Sequence, residues 1–216
     1  MHSLVPLFTL PTHVSIREVG PRDGLQNEER ILSTHQKVEL INALTASGLQ
    51  QIEVGSFVHP QHVPQMADTD AVFADIARKP GVVYSAIAPN TIGAKRAVAA
   101  STDVIQVFLS ASESHNQSNV NMSIAQSLAQ AARVAAIAHG AECGFEAVLS
   151  VVFGCPFEGD VPIERVLELC ERLLALGAEQ ITLGDTTGMA HPRLVQTICQ
   201  AFQARFIQQH AGRDEV

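Results

Sequence analysis

The sequence predicts an α/β fold of the TIM (β/α)8 barrel type, incomplete at about six βα units, in a single partial domain covering residues 1–216. Short β-branched apolar runs alternate with longer amphipathic runs, which indicates parallel strands joined by helical crossovers. Polar clusters follow one strand after another, as in barrels whose sites are built from βα loops. No G-x-G-x-x-G follows the first strand, which disfavours a dinucleotide-binding sheet, although an open sheet remains the alternative.

The predicted elements alternate along the whole chain. Strands are expected over 15–20, 51–57, 82–88, 103–110, 144–153 and 180–185, and helices over 34–47, 68–78, 91–100, 123–140, 163–176 and 192–207. Ile16 and Val19 suit a buried first strand, which Gly20-Pro21 ends. The fifth helix has the clearest apolar periodicity, with Pro162 at its start and Gly177 just past its end. The tail "QQHAGRDEV" lies where a seventh strand is expected to begin.

Composition indicates a globular chain, with 46% hydrophobic and 17% charged residues. The net charge of −8 and the lack of a basic stripe argue against nucleic-acid binding. The N-terminal segment "MHSLVPLFTLPTHV" has no basic leader, and two prolines interrupt its apolar run, so neither a signal peptide nor a membrane span is expected.

The four cysteines show no metal-site spacing and no pattern of a secreted disulfide scaffold. Cys170 and Cys199 fall on apolar faces of predicted helices. Buried, reduced thiols and a cytoplasmic location are therefore expected.

The segment "GPRDG" places Arg22 and Asp23 directly after the first strand. A surface turn with a weak local ion pair is one interpretation. The other is a functional site, because an aspartate can ligate a divalent cation and an arginine can neutralise charge developing on a substrate oxygen. Glu53 interrupts the apolar second strand, where a buried carboxylate needs a partner. Arg22 is the expected partner, whether the pair is structural or catalytic.

The remaining motifs are less specific. His59 and His62 form an H-x-x-H pair, but Pro60 indicates a loop and no third ligand is close in sequence, so ordinary loop histidines are expected. The polar segment 110–121 is either a ligand-binding or a solvated loop. Cys155 has no base at a recognised spacing, which disfavours a nucleophile. Asp185, at the end of the sixth strand, either orients substrate, supports a metal ligand, or caps the following helix.

Five segments in this order resemble 3-hydroxy-3-methylglutaryl-CoA lyases: "VGPRDGLQNE", "IEVGSFVHPQHVPQMAD", "ASESHNQSNVN", "VFGCPFEG" and "LGDTTG". The resemblance runs from about residue 16 to about residue 206. The first two segments are specific, whereas "GDTTG" alone is weak. The wider superfamily comprises metal-dependent lyases and Claisen-type synthases on TIM barrels.

The resemblance implies retro-Claisen cleavage of 3-hydroxy-3-methylglutaryl-CoA to acetyl-CoA and acetoacetate, with Mg²⁺ or Mn²⁺ as cofactor and an acyl-CoA as substrate. It implies that Asp23 is a metal ligand and that Arg22, held by Glu53, stabilises the enolate oxygen. The residues expected to line the substrate pocket are Arg22, Gln26, Ser56, Asp185 and Thr186. The alternatives are a non-catalytic acyl-CoA-binding barrel piece and a lyase for another 3-hydroxyacyl-CoA.

The chain departs from the family after its sixth unit. The family continues with an H-x-H metal-binding strand, a catalytic cysteine loop and an asparagine ligand, and none of these is present in the sequence. The expectation is therefore a chain that is inactive alone. Its unpaired first and sixth strands would also favour self-association, so a homo-oligomer is expected.

Overall fold

The computed structural model describes residues 13–207, so the N-terminal segment 1–12 and the whole tail "QQHAGRDEV", where a seventh strand was expected to begin, lie outside the described residues. Six parallel strands form one sheet in the order β1-β2-β3-β4-β5-β6. They are β1 Arg17–Glu18, β2 Gln51–Ser56, β3 Val83–Ile87, β4 Val104–Ser110, β5 Gly144–Ser150 and β6 Gln180–Leu183. Sequential order without a reversal distinguishes this sheet from a doubly wound one, in which the strand order changes direction.

The sheet is strongly curved, as a barrel wall must be. Arg17 on β1 forms a bidentate pair with Glu146 on β5, at 2.5 and 2.8 Å. Strands spaced about 4.8 Å apart would place β1 and β5 about 19 Å apart in a flat sheet. Two side chains meet over that interval only if the sheet bends around them. The fold is therefore a partial TIM barrel, as predicted.

Seven helices lie between or after these strands in the described part of the chain. They are α1 Thr34–Ala46, α2 Thr69–Asp75, α3 Thr91–Ala99, α4 Glu113–Val120, α5 Ile124–Gly140, α6 Ile163–Ala175 and α7 Pro192–Phe202. A π-helical turn, Gln203–Ile207, continues α7. Helix α4 is a correction, because the polar segment 110–121 was expected to be a loop. Most other boundaries differ from the predicted ones by one to three residues.

Local signals account for several helix ends. Ser33 with Gln36, and Ser123 with Gln126, form reciprocal capping boxes at the starts of α1 and α5. Gly177, with φ of +87°, follows the last residues of α6 and donates its N–H to the Leu174 carbonyl. Glycine adopts this conformation without a Cβ penalty, which explains why α6 stops where the sequence predicted.

The core lies between the sheet and the helices that cover its outer face. Side chains from β4, β5 and the inward faces of α5 and α6 are fully or almost fully buried there, including Ile105, Leu109, Val134, Phe145 and Leu173. Burial of each such side chain contributes about 1.5–3 kcal/mol relative to exposure.

Three expectations about burial are wrong. Ile16 and Val19 are 63% and 37% exposed, because β1 is only two residues long and pairs only with β2 in the described part of the chain. Cys199 is exposed, whereas Cys170 is buried as expected. Helix α7 turns one side of its apolar face outward near Val195, and Cys199 lies beside it.

Over residues 13–207, no helix is long and apolar enough to cross a lipid bilayer.

Candidate active site

A tight turn at the end of β1 fixes the backbone that carries Arg22 and Asp23. Residues Gly20–Gly24 form a π-helical turn in which the Val19 carbonyl accepts the N–H groups of Arg22, at 3.1 Å, and Asp23, at 2.7 Å. The Glu18 carboxylate accepts the Gly20 N–H at 2.6 Å. Pro21 within the turn is buried. The two functional side chains therefore project from a defined backbone rather than from an open surface loop.

One guanidinium joins two carboxylates at this position. Arg22 donates its Nε–H to Glu53 Oε1 and its Nη1–H to Asp23 Oδ1, the latter at 2.7 Å. The side chain of Glu53 is 3% exposed, that of Arg22 is 16% exposed and that of Asp23 is 56% exposed. The predicted Arg22–Glu53 contact is confirmed. The exposure of the three side chains therefore increases from Glu53, which is buried and anchors the arginine, to Asp23, whose carboxylate faces solvent at the mouth of the barrel.

Burial and charge oppose each other at Glu53. Burial raises the pKa of this carboxyl above its ordinary value, and the neighbouring guanidinium of Arg22, followed by that of Arg17, lowers it without cancelling the effect of burial. The negative charge of Asp23 adds a small further rise in the pKa. Glu53 thus depends on two arginines for its ionised form.

Sequence reasoning missed a second charged cluster in the barrel interior. Arg17 pairs with Glu146, and Gln106 donates its Nε2–H to the same carboxylate at 3.0 Å. These side chains lie at about one-tenth exposure or less. The signal was available, because Arg17 and Glu146 interrupt predicted strands in the same way as Glu53 does.

The residues expected to line a substrate pocket all lie at the carboxyl-end edge of the sheet. Gln26 is half-buried just beyond Arg22. Ser56 ends β2, and its buried Oγ has no hydrogen-bond partner among residues 13–207. Asp185 and Thr186 follow β6 and are exposed. Direct bonds connect Arg22 to Asp23 and Glu53, and none connects these three to the other four residues in the described part of the chain.

Asp185 organises its own turn. Its Oδ1 accepts the backbone N–H groups of Met189, at 2.9 Å, and Ala190, at 3.1 Å, while His191 caps the start of α7. Thr186 Oγ1 accepts the Val151 N–H at 3.1 Å, which ties the β6 loop to the end of β5. Asp185 thus caps the loop before α7 rather than the helix itself.

The polar segment after β4 is a structural element. Asn116 is fully buried in α4, accepts the Ser110 N–H and donates to the Met122 carbonyl, which holds the helix against the sheet. His115 lies 2.7 Å from the Ser110 hydroxyl, and burial lowers the pKa of its imidazole. The segment is neither of the two loops considered from the sequence.

Cys155 is 1% exposed and donates its S–H to the Ser112 hydroxyl at 2.9 Å. A buried thiol that contacts only neutral groups here has no base beside it to activate it as a nucleophile, in agreement with the sequence prediction.

The described residues do not form a complete divalent-cation site. Over residues 13–207, no group of three or more His, Cys, Asp or Glu side chains is placed to hold a metal ion. His59 and His62 lie in an exposed turn, with ring centroids 5.8 Å apart. Asp23 offers a single carboxylate, one oxygen of which already accepts from Arg22. Magnesium and manganese need more oxygen ligands than one side chain supplies.

Comparison with known proteins extends the resemblance. A hydroxymethylglutaryl-CoA lyase of Bacillus subtilis is 45% identical over 196 residues, covering 91% of this chain and 66% of that protein. The crystal structure of the Bacillus subtilis HMG-CoA lyase superposes with a TM-score of 0.89 at 45% identity, over 91% of this chain and 66% of that one. An Acinetobacter baumannii HMG-CoA lyase, solved with coenzyme A and 3-methylmalate, superposes with a TM-score of 0.85 at 40% identity, over 88% and 62%.

The similarity covers nearly all of this chain but only part of its relatives. The chain spans between 53% and 66% of the length of curated lyases such as these. The model of the HMGL-like family matches residues 13–211, which include every site residue discussed above. On this match, and on the agreement of fold and identity, the chain belongs to the HMGL-like family.

Proposed function

We propose that the carboxyl-end edge of this sheet is part of a lyase active site that cleaves 3-hydroxy-3-methylglutaryl-CoA to acetyl-CoA and acetoacetate. The observation that carries the proposal is the Arg22 guanidinium, which is anchored by buried Glu53 and lies beside solvent-facing Asp23. A fixed cation at the mouth of a barrel suits a reaction in which negative charge develops on a carbonyl oxygen.

In the proposed reaction the tertiary hydroxyl of the substrate loses its proton and becomes the ketone of acetoacetate. The bond between that carbon and the methylene next to the thioester breaks, and its electron pair forms the thioester enolate. Protonation of the enolate carbon gives acetyl-CoA, so atoms and charge balance. Arg22 stabilises the enolate oxygen, and the loss of such a donor typically costs about 10²–10³-fold in rate.

Glu53 has a positioning role in this proposal. Its carboxylate holds Arg22 Nε, which limits the rotation of the guanidinium and leaves other N–H groups to face the mouth. Gln26, Ser56, Asp185 and Thr186 would bind the polar parts of the acyl group. The orphaned Ser56 hydroxyl supports this assignment, because a buried hydroxyl without a partner has an unmet hydrogen bond.

A divalent cation, Mg²⁺ or Mn²⁺, belongs to the proposal only through Asp23, which would give one oxygen ligand. When bound, such an ion would polarise the substrate oxygens and favour loss of the hydroxyl proton. The single-carboxylate donor set does not hold a cation tightly, so we assign no step of the reaction to it.

The second candidate is a non-catalytic barrel piece that binds acyl-CoA without cleaving it. The absence of a three-ligand metal cluster among residues 13–207 favours it. Both candidates are compatible with a cytoplasmic protein whose ligand is a small acyl-CoA rather than nucleic acid or a membrane. Both are also compatible with self-association through β1 and β6. Four unpaired cysteines support the cytoplasmic assignment.

A cleavage assay distinguishes the two candidates. The 216-residue polypeptide is incubated with 3-hydroxy-3-methylglutaryl-CoA and Mg²⁺ or Mn²⁺, and acetoacetate is measured for wild type and Arg22→Met. We expect very little turnover, and any turnover measured should fall at least about 10²-fold in the variant. Turnover that is unaffected by Arg22→Met contradicts the proposed site. Turnover near that of the curated relatives contradicts our expectation that this polypeptide has almost no activity by itself. Profiling several acyl-CoAs identifies the preferred substrate.

A further inference from the structure

Two groups of charged side chains lie on the neighbouring strands β1 and β2, and one of them belongs to the proposed site. Asp23 bonds to Arg22, Arg22 bonds to Glu53, and Arg17 bonds to Glu146. Arg17 pairs in register with Gln51, and Glu53 lies two residues further along β2 on the same face. The two ion pairs are therefore neighbours on adjacent strands, with cations and carboxylates in alternation.

The ionised form of buried Glu53 depends on the charges around it. Glu53 is 2% exposed and, within residues 13–207, has a single direct ion-pair partner, Arg22. Among the described residues, the charged groups that act on Glu53 are Arg22 and Arg17, which favour its ionised form, and Asp23, which opposes it. Arg17 in turn shares its charge with Glu146, and its buried Nε has no hydrogen-bond partner among the described residues. A change at either Arg17 or Glu146 alters the charge that Glu53 experiences.

We propose that Arg17, set by its bidentate pair with Glu146, is a positioning residue that keeps Glu53 ionised and thereby holds Arg22 in place for the lyase reaction. This inference rests on the proposed function for the role of Arg22. The alternative is that the Arg17–Glu146 pair only braces β1 against β5. The two roles predict different responses of Glu53 to removal of either charge.

A positioning role predicts opposite effects from the two partners. Arg17→Gln removes a positive charge near Glu53, so the pKa of Glu53 should rise above its wild-type value. Glu146→Gln leaves Arg17 with an uncompensated charge, so the pKa of Glu53 should fall below its wild-type value. If the Arg17–Glu146 pair only holds β1 against β5, the two substitutions should not have opposite effects on the pKa of Glu53, because each of them breaks the same contact.

The test is a carboxyl-carbon NMR titration of Glu53 in the full 216-residue chain. The expected order of its pKa is Arg17→Gln highest, then the Arg17→Gln/Glu146→Gln double variant, then wild type, with Glu146→Gln lowest. The double variant leaves no unpaired buried charge, so it keeps the test open if Arg17→Gln does not fold. Arg78→Gln, which removes the same charge from an exposed pair with Asp103, is the matched control and should leave Glu53 unchanged.

The Nε–H resonance of Arg22 gives a second readout. As the pH is lowered, protonation of Glu53 weakens the hydrogen bond from Arg22 Nε–H, so the chemical shift of this resonance should change at a higher pH in the double variant than in wild type. Glu53 pKa values within about 0.3 unit of wild type in all variants, or a rise in Glu146→Gln, would overturn the proposal. Neither readout needs turnover, so failure of this inference is distinguishable from failure of the lyase assay.

Discussion

The ion pair between Lys37 and Asp68 ties helix α1 to the loop after β2, and its removal should weaken the edge of the proposed site. Lys37 is 4% exposed and donates its ammonium to the Asp68 carboxylate and, at 2.5 Å, to the Gln65 carbonyl. Thr34 donates its hydroxyl to the other Asp68 oxygen at 2.7 Å. Asp68→Asn keeps the shape and one acceptor but leaves the buried ammonium without a counter-charge.

The expected loss of unfolding free energy is about 3 kcal/mol at pH 7. Breaking a buried pair by removing one partner costs about 3–5 kcal/mol, and the lower end applies because the Asp68 side chain is 27% exposed. Asp70→Asn, two residues away, is the matched control. Both side chains of its ion pair are partly exposed, Asp70 at 49% and Arg96 at 30%, whereas the side chain of Lys37 is 5% exposed, so that substitution should cost less than about 1 kcal/mol.

The pH dependence of the same variant supplies an independent check. Burial is the largest single influence and raises the pKa of Asp68. Hydrogen bonds from Lys37 and Thr34, together with the Lys37 charge, outweigh it and hold the pKa below its ordinary value of 3.8. A carboxyl with a depressed pKa stabilises the fold above its unfolded-state pKa, and this contribution is lost as pH falls through the folded-state pKa. The gap between wild type and Asp68→Asn should therefore narrow below pH 3.8.

Urea unfolding, followed by circular dichroism at a series of pH values, measures both quantities. A loss below about 1 kcal/mol for Asp68→Asn at pH 7 would refute the reasoning. So would a gap that stays constant between neutral pH and the acid limit. Either result would mean that the Lys37 ammonium is satisfied by backbone carbonyls and water rather than by Asp68.

Three further outcomes follow from individual contacts. The Ser114 N–H, which donates to Glu158 at 2.7 Å, is the main cause that lowers the pKa of that carboxyl to about 2. Glu158→Gln should therefore cost about 1 kcal/mol at pH 7, reduced by solvent screening, and nothing at acid pH in urea unfolding. Gly177→Ala should cost about 2 kcal/mol in the same assay, because φ is +87° and the added Cβ would lie 2.6 Å from the His139 ring. A calorimetric titration with Mn²⁺ should detect no site of micromolar affinity that depends on Asp23. A micromolar site that is present in wild type and lost in Asp23→Asn would contradict the description of Asp23 as a single ligand.

The sequence predicted the class of fold because strand and helix periodicities are local. Gly177 stopped a helix at the predicted place for a reason that one residue contains. The first strand was overestimated, since Ile16 and Val19 carry the right side chains but lack a second neighbouring strand in the described structure. Polar composition alone could not reveal that Asn116 has three internal partners and holds a helix.

The part of the candidate site that could be predicted from the sequence is the part in which a charged residue interrupts an apolar strand. Glu53 was an evident exception within β2, and its partner Arg22 followed from strand adjacency. Arg17 and Glu146 were equally exceptional but lie on strands four positions apart. Their contact depends on the curvature of the whole sheet, which no local pattern encodes.

The most direct test of the account is NMR mapping of 3-hydroxy-3-methylglutaryl-CoA binding to the 216-residue chain. We expect shifts concentrated at the Arg22 Nε–H and at the backbone N–H groups of Gln26 and Ser56, and we expect them to be absent in Arg22→Met. This result would place the acyl-CoA at the carboxyl ends of β1 and β2, whether or not the chain turns over. Saturable shifts confined to other surfaces, or identical shifts in Arg22→Met, would contradict the central claim.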